Sequence, residues 1–342
     1  MSGYTRVKRD VLSFCSRTGY GNNMNLKKRT AISVCLFMLI FGGLLITATF
    51  TDFQVSSFLT KFSLPEGQYY ADDIFGVVFE TIGTSPEYFI GAFAVQIILI
   101  YITRFWENKV FKTVLQAICL MGSCILYSAW FKEMFKYIFR HFETVDGSLP
   151  TFILGVVAFL GILTTVFATL AVNNFSDDSI KKLLKFSFVT LFAMMAAVLT
   201  VQIIKEPMGR MRYRAMNTIN DFSGYTRWYI ANGQPDKEMM RTLFGTTDAY
   251  KSFPSGHTRA AAATFYLTTL VDILDVKSKW KKALVWIGAF LFTALVAVSR
   301  IMVGAHFFSD VLIGGTIGFL YVILSKEFFI CGCSHIKSLL RK

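Results

Sequence analysis

The sequence predicts an all-α protein, a polytopic membrane helical bundle of about eight transmembrane helices. Three observations carry that prediction. Hydrophobic residues fill 54% of the 342 positions and charged residues only 17%, with 35 phenylalanines. Mean hydropathy is +0.50, a balance foreign to an ordinary soluble domain. Eight apolar runs are long enough, or nearly so, to cross about 30 Å of hydrocarbon, at 31–50, 88–105, 112–131, 150–173, 186–204, 258–275, 283–303 and 311–330. The connections between them alternate between basic and acidic or mixed composition.

The first run follows a segment carrying Arg6, Lys8, Arg9, Arg17, Lys27, Lys28 and Arg29 against the single acid Asp10. It is too long for a signal-peptide core and lacks a small-residue cleavage site after it, so it is expected to persist as an anchor. The connection 51–87 holds Asp52, Glu66, Asp72, Asp73, Glu80 and Glu87 against Lys61 and is expected to be an external loop. Within it Ile74, Val77, Val78, Phe79 and Ile82 fall at helical spacing, which suits a short helix packed on the membrane surface. The second and third runs are joined by the basic stretch 104–112, the fourth and fifth by 174–185, the sixth and seventh by 276–282. Short basic connections stay in the cytoplasm, which places both termini there; an even number of crossings requires the same. Asp272 and Asp275 close the sixth run early. The organisation expected is a cytoplasmic segment 1–30, four crossings over 31–185 without polar constellations, a chemistry-bearing membrane core over 186–330, and a cytoplasmic tail over 331–342.

A net charge of +13 in a soluble protein would suit a nucleic-acid partner. Here the basic residues cluster at the ends of membrane runs, so no nucleic acid is expected. The six cysteines, Cys15, Cys35, Cys119, Cys124, Cys331 and Cys333, avoid the external loops, and no disulfide framework is indicated. Cys331 and Cys333 with His335 match no structural zinc spacing. The longest connection, 205–257, is basic yet falls outside, carrying Lys205, Arg210, Arg212, Arg214, Arg227, Lys237, Arg241 and Lys251. Long loops translocate whatever their charge, and an anionic substrate supplies a reason to keep so much positive charge there.

Three stretches concentrate polar chemistry beside the apolar runs. Lys205 ends the fifth run and Arg212 follows seven residues later; a guanidinium suits bidentate contact with phosphate. Arg210 and Arg214 on either side read as solvated or headgroup-contacting neighbours. Pro254-Ser255-Gly256-His257 opens the sixth run, where unpaired helix N–H groups and the helix dipole favour an anion. Ser255 offers a hydroxyl donor, Gly256 close backbone approach, and His257 a proton for a leaving oxygen. Ser299-Arg300 precedes His306 and Asp310 across the turn between the last two runs. His306 and Asp310 share a face if helical, so the carboxylate would fix the imidazole tautomer and free the other nitrogen for attack. Gly304 relaxes the backbone between Arg300 and His306. The residues alone leave open which histidine is the nucleophile.

Together, Lys205-(six residues)-Arg212, Pro254-Ser255-Gly256-His257 and Ser299-Arg300-(five residues)-His306-(three residues)-Asp310 resemble the three signature motifs of the type 2 phosphatidic acid phosphatase and vanadium haloperoxidase superfamily. The resemblance covers roughly residues 186–325. Tyr213 stands where the family usually has proline, and eight crossings exceed the six usual in its membrane members. The resemblance implies a catalytic core of that fold and the integral-membrane lipid phosphate phosphatase branch. It implies His306 as a nucleophile forming a phosphohistidine, with Asp310 orienting its ring. His257 is then the acid, and Lys205, Arg212, Ser255, Gly256 and Arg300 hold the phosphoryl oxygens without a metal or other cofactor.

The expected function is hydrolysis of a lipid phosphate or pyrophosphate in the membrane, with phosphatidate, phosphatidylglycerophosphate and polyprenyl pyrophosphate as candidates. The expected place is the outer face of a plasma membrane, with a lean toward a bacterial one. A lipid phosphotransferase using the same histidine, and a non-enzymatic phosphate or anion transporter, are the alternatives. A carrier needs neither a histidine–carboxylate pair nor a second histidine and tends to bind at the midplane. A soluble haloperoxidase does not suit a chain embedded throughout.

Overall fold

In the computed structural model, residues 24–71, 73–141 and 149–326 are described; the cytoplasmic segment and tail expected from the sequence lie largely outside them. The described residues contain helices and turns but no strand. In chain order the α-helices are α1 (Met24–Thr60), α2 (Ile74–Ile82), α3 (Ser85–Phe105), α4 (Lys109–His141), α5 (Thr151–Asn173), α6 (Asp177–Met208) and α7 (Tyr213–Ile219), followed by α8 (Lys237–Phe244), α9 (Gly256–Ala261), α10 (Tyr266–Ile273), α11 (Lys279–Met302) and α12 (Phe308–Leu324). A 3₁₀ turn, Ala262–Phe265, joins α9 to α10.

Every apolar run expected to cross is helical over most of its described length. Among the described residues, six helical stretches are long and apolar enough to span: Cys35–Thr60, Ile74–Phe105, Lys109–Arg140, Thr151–Asn173, Asp177–Ile219 and Lys279–Met302. α12 is shorter, and the sixth run is broken into α9, the 3₁₀ turn and α10. Leu39, Phe152, Phe192, Ile203 and Phe290 are all largely exposed on these helices. Such wide apolar exposure is stable against lipid tails rather than water. The protein is an integral membrane protein.

The helices are packed so that the C-terminal ones enclose the polar stretches. α3 lies along α4 and α6, α5 closes the outside of α4, and α12 sits among α9, α6 and α1. Small residues let the broken sixth run approach closely: Ala260, Ala261, Ala262 and Ala263 are buried. Opposite them, a Cβ on Gly314 would stand 2.3 Å from Ser255 O, and one on Gly318 2.5 Å from Arg259 O. Gly314→Ala is therefore expected to force α9 away from α12 at a cost of about 1–3 kcal/mol. A thermal melt in detergent checks this, with Gly155→Ala as the control because nothing lies within 4 Å of its added Cβ.

One N-terminal element differs from expectation. α1 continues through residues 51–60, which the composition had placed in the external loop. Its extra turns carry Asp52 into the interior, where it is 1% exposed. α2 forms where the spacing predicts it, and it buries one face against α11 and α4 while Ile74 and Val78 stay exposed. Asp73 caps it by accepting the Gly76 N–H at 2.7 Å, and Glu80 on its inner face is buried.

Candidate functional site

The three polar stretches converge on one cavity of about 240 Å³. Lys205, Arg212, Gly256, His257, Arg300 and His306 all line it. Local structure explains each placement. Lys205 occupies the last turn of α6, which ends where Gly209 takes a left-handed conformation, φ 50°. A Cβ on Gly256 would lie 3.8 Å from Lys205 Nζ, so ammonium and glycine share one wall. Arg212 is the N-cap of α7 and is held by its N–H to Ala249 O at 2.8 Å. Arg300 comes from the last turn of α11. After it, Gly304 at φ +65° reverses the chain, and its carbonyl accepts the Arg214 N–H at 2.9 Å. That turn delivers His306, whose own N–H returns to Arg300 O at 3.1 Å.

The orientation of His306 is the central detail. Its Nδ1 stands 2.5 Å from the carbonyl of Ser252 and 3.9 Å from Asp310 Oδ2. A carbonyl only accepts, so Nδ1 carries the hydrogen and Nε2 keeps its lone pair. The orienting bond expected from Asp310 is thus made by Ser252, and Asp310 acts one step behind it. Ser252 Oγ donates to Asp310 Oδ2 at 2.5 Å, and the Phe307 N–H reaches the same oxygen at 2.8 Å. Burial pushes the His306 imidazole down to about 3, with Arg212 and Arg300 adding to the fall and Asp310 opposing it. The ring is neutral at ordinary pH.

Asp310 is fixed from below by a buried ionic network. Arg210 donates from Nη1 to Asp310 Oδ1 at 2.6 Å and from Nη2 to Asp52 Oδ2 at 2.9 Å. Ser309 adds its N–H to Asp52 Oδ1 at 2.8 Å, and Arg210 Nε donates to Thr226 O at 2.9 Å. Arg210 is wholly buried, and Arg214 is 3% exposed. Neither is the solvated neighbour that the sequence suggested, because α1 and the turn before α12 close over the first and Tyr69 and Tyr70 cover the second.

The Ser255 hydroxyl, expected on the phosphate, is engaged at a helix cap. Its oxygen accepts the Thr258 N–H at 3.4 Å and lies 3.0 Å from Thr258 Oγ1. Ser255 N–H in turn donates to Asp310 O at 3.0 Å, which ties the His257 turn to α12. Tyr213, in the place of a proline, occupies the first helical position of α7, where a backbone N–H has no intrahelical partner in any case. Its ring packs with Phe53, Phe222 and Phe307, so the substitution leaves Arg212 on the cavity wall.

Residues 186–329 match the PAP2 superfamily. That stretch, somewhat less than half of the chain, is similar to the PAP2 superfamily. A stretch of 79 residues is 43% identical to Phosphatidylglycerophosphatase B of Bacillus subtilis (strain 168), covering 22% of this chain and 38% of that protein. The aligned stretch thus spans well under half of that relative. No solved structure matches.

The wall of the cavity is completed by residues that precede the matched stretch, from α2 and α4. Glu80 from α2 bridges two guanidiniums, Arg300 Nη1 at 2.9 Å and Arg140 Nη2 at 2.5 Å. Tyr137 from α4 places its hydroxyl 3.1 Å from His257 Nε2. Lys136, one residue earlier, lines the same cavity. In sequence these residues look like loop acids and helix-end anchors. The one available signal was their helical spacing, with Glu80 and Arg140 falling on the inner faces of α2 and α4.

Proposed function

We propose that this protein is an integral-membrane phosphatase that hydrolyses a lipid phosphate or pyrophosphate at the extracytoplasmic face, through a phosphohistidine on His306. The observation that carries this reading is the state of His306: buried and neutral, with Nδ1 tied to a carbonyl, beside Lys205, Arg212 and Arg300. The similarity to a phosphatidylglycerophosphatase supports the substrate class. Phosphatidate, phosphatidylglycerophosphate and polyprenyl pyrophosphate are the candidates, in a bacterial plasma membrane with both termini cytoplasmic.

In the first step His306 Nε2 attacks phosphorus and the bond to the ester oxygen breaks. Burial and Arg300 hold the free His257 imidazole well below its usual range; it takes up a proton as the anionic phosphate enters, gives that proton to the ester oxygen, and the lipid alcohol, or the shortened phosphate, departs. Lys205, Arg212, Arg300 and the Gly256 N–H hold the three equatorial oxygens as charge spreads over them. Ser255 sets the turn that presents Gly256 and His257. As the phosphohistidine forms, the imidazole gains positive charge, which the Ser252–Asp310 pair stabilises. Water then attacks the phosphorus, returns a proton to His257, and frees phosphate and His306. Tyr137 holds the His257 ring in line. No step calls on a metal.

The test is phosphate release by the purified protein in detergent with EDTA, across the three candidate lipids and an aryl phosphate. Release from a lipid substrate is expected to persist in EDTA. His257→Ala is expected to slow lipid hydrolysis by about 10²–10⁴-fold and to slow the aryl ester much less, since its leaving group departs without a proton. Absence of release from every substrate would sink the phosphatase reading. Equal losses on both ester types would remove His257 from the role of acid.

A further inference from the structure

The cavity holds more cationic chemistry than one reacting phosphoryl group uses. Beyond Lys205, Arg212 and Arg300, its wall includes Lys136, Arg140 and Arg214. Arg214 is the telling member. It is 3% exposed and its Nε has no hydrogen-bond partner. Among the described residues no carboxylate lies within ion-pair distance of it, Glu80 and Asp248 acting on it only from farther off; its guanidinium carbon instead sits 4.6 Å from the centre of the Tyr69 ring and 5.2 Å from that of Tyr70. Burying a guanidinium without a directly bonded counter-ion is costly, so in a native fold such a group marks a ligand site.

Arg140 stands beside it on the same aromatic platform, its guanidinium 4.3 Å from the Tyr70 ring. Glu80 joins Arg140 to Arg300 through the two oxygens of one carboxylate. The second cationic group therefore lies only one carboxylate's width from the cations assigned to the reacting phosphoryl. Lys136 at the helical position four before Arg140 completes it, with its ammonium no closer than 4.0 Å to Glu133.

We infer that Arg214, Arg140 and Lys136 form a second anion subsite, which takes a non-reacting phosphoryl group of the substrate headgroup. This rests on the phosphatase reading above and narrows it to headgroups with two phosphoryl groups. The second group is either the inner phosphate of a lipid diphosphate or a phosphodiester. A planar guanidinium seated against two tyrosine rings is preorganised for bidentate phosphate contact, which a lysine in its place would not be.

Two arms test this. Calorimetry with purified protein compares inorganic orthophosphate with methylenediphosphonate, a diphosphate that resists hydrolysis. Wild type is expected to favour the diphosphonate, and Arg214→Gln to reduce that preference about tenfold or more. No preference in wild type, or the same preference in both proteins, overturns the subsite. Arg140→Gln repeats the comparison if Arg214→Gln melts early.

The second arm measures kcat/KM on matched pairs: prenyl diphosphate against prenyl monophosphate, and phosphatidylglycerophosphate against phosphatidate. A selective loss in Arg214→Gln on the diphosphate assigns the subsite to an adjoining phosphoryl, and one on phosphatidylglycerophosphate assigns it to a diester. Equal losses within both pairs overturn it. Diphosphonate preference without turnover of any lipid would refute the phosphatase and leave the subsite standing.

Discussion

His306→Ala protein, inserted and folded normally, is expected to release phosphate about four to six orders of magnitude more slowly than wild type, as when a nucleophile is removed from other hydrolases. The size of the effect follows from the site. Among the groups lining the cavity, His306 alone combines a neutral, lone-pair-bearing nitrogen with a fixed tautomer. His257 is the other imidazole, but its Nε2 is already engaged with Tyr137. The lysines and arginines stabilise charge and do not attack. Single-turnover experiments with ³²P-labelled lipid add a chemical signature, since a phosphohistidine is lost in acid and survives base. Acid-stable label, or a His306→Ala enzyme within tenfold of wild type, would remove His306 from the nucleophile's role.

Arg210→Leu is the second large effect, and it acts on the fold as well as on catalysis. The substitution leaves Asp52 and Asp310 facing each other without the guanidinium that both accept from. Breaking a buried ion pair by removing one partner costs about 3–5 kcal/mol, a large share of the stability of most domains. The melting temperature in detergent should fall well below that of wild type. Asp52→Asn introduced into Arg210→Leu should recover part of the loss, because one of the two stranded charges is gone. Turnover should fall too, since Asp310 holds Ser252 and Ser252 holds the His306 ring. An unchanged melt would show that the network contributes nothing net.

The membrane bundle was legible because hydropathy is additive along a segment: twenty apolar residues mean a crossing whatever surrounds them. The three polar motifs were legible because Lys205, His257, Arg300 and His306 are ionisable groups set at the ends of such segments, where bland explanations are few. Glu80, Tyr137 and Arg140 were hidden for the opposite reason. Each is an ordinary residue for its own helix, and only the packing of α2 against α11 and α4 turns it inward. Arg210 was misread because charge in a long polar loop looks solvated until α1 is seen to run on past residue 50 and present Asp52. Ser252 could not have been ranked over Asp310 from spacing, since its contact with His306 is through a backbone carbonyl.

The bridge from Glu80 to Arg300 and Arg140 means that shared ancestry and mechanical independence part company in this protein. The stretch that matches relatives begins at residue 186, yet excising it would strip Arg300 of its counter-ion, His257 of its hydroxyl neighbour and Arg210 of one of its two acids. The earlier helices are therefore part of the working unit, and the attacking groups keep their surroundings only while those helices are present.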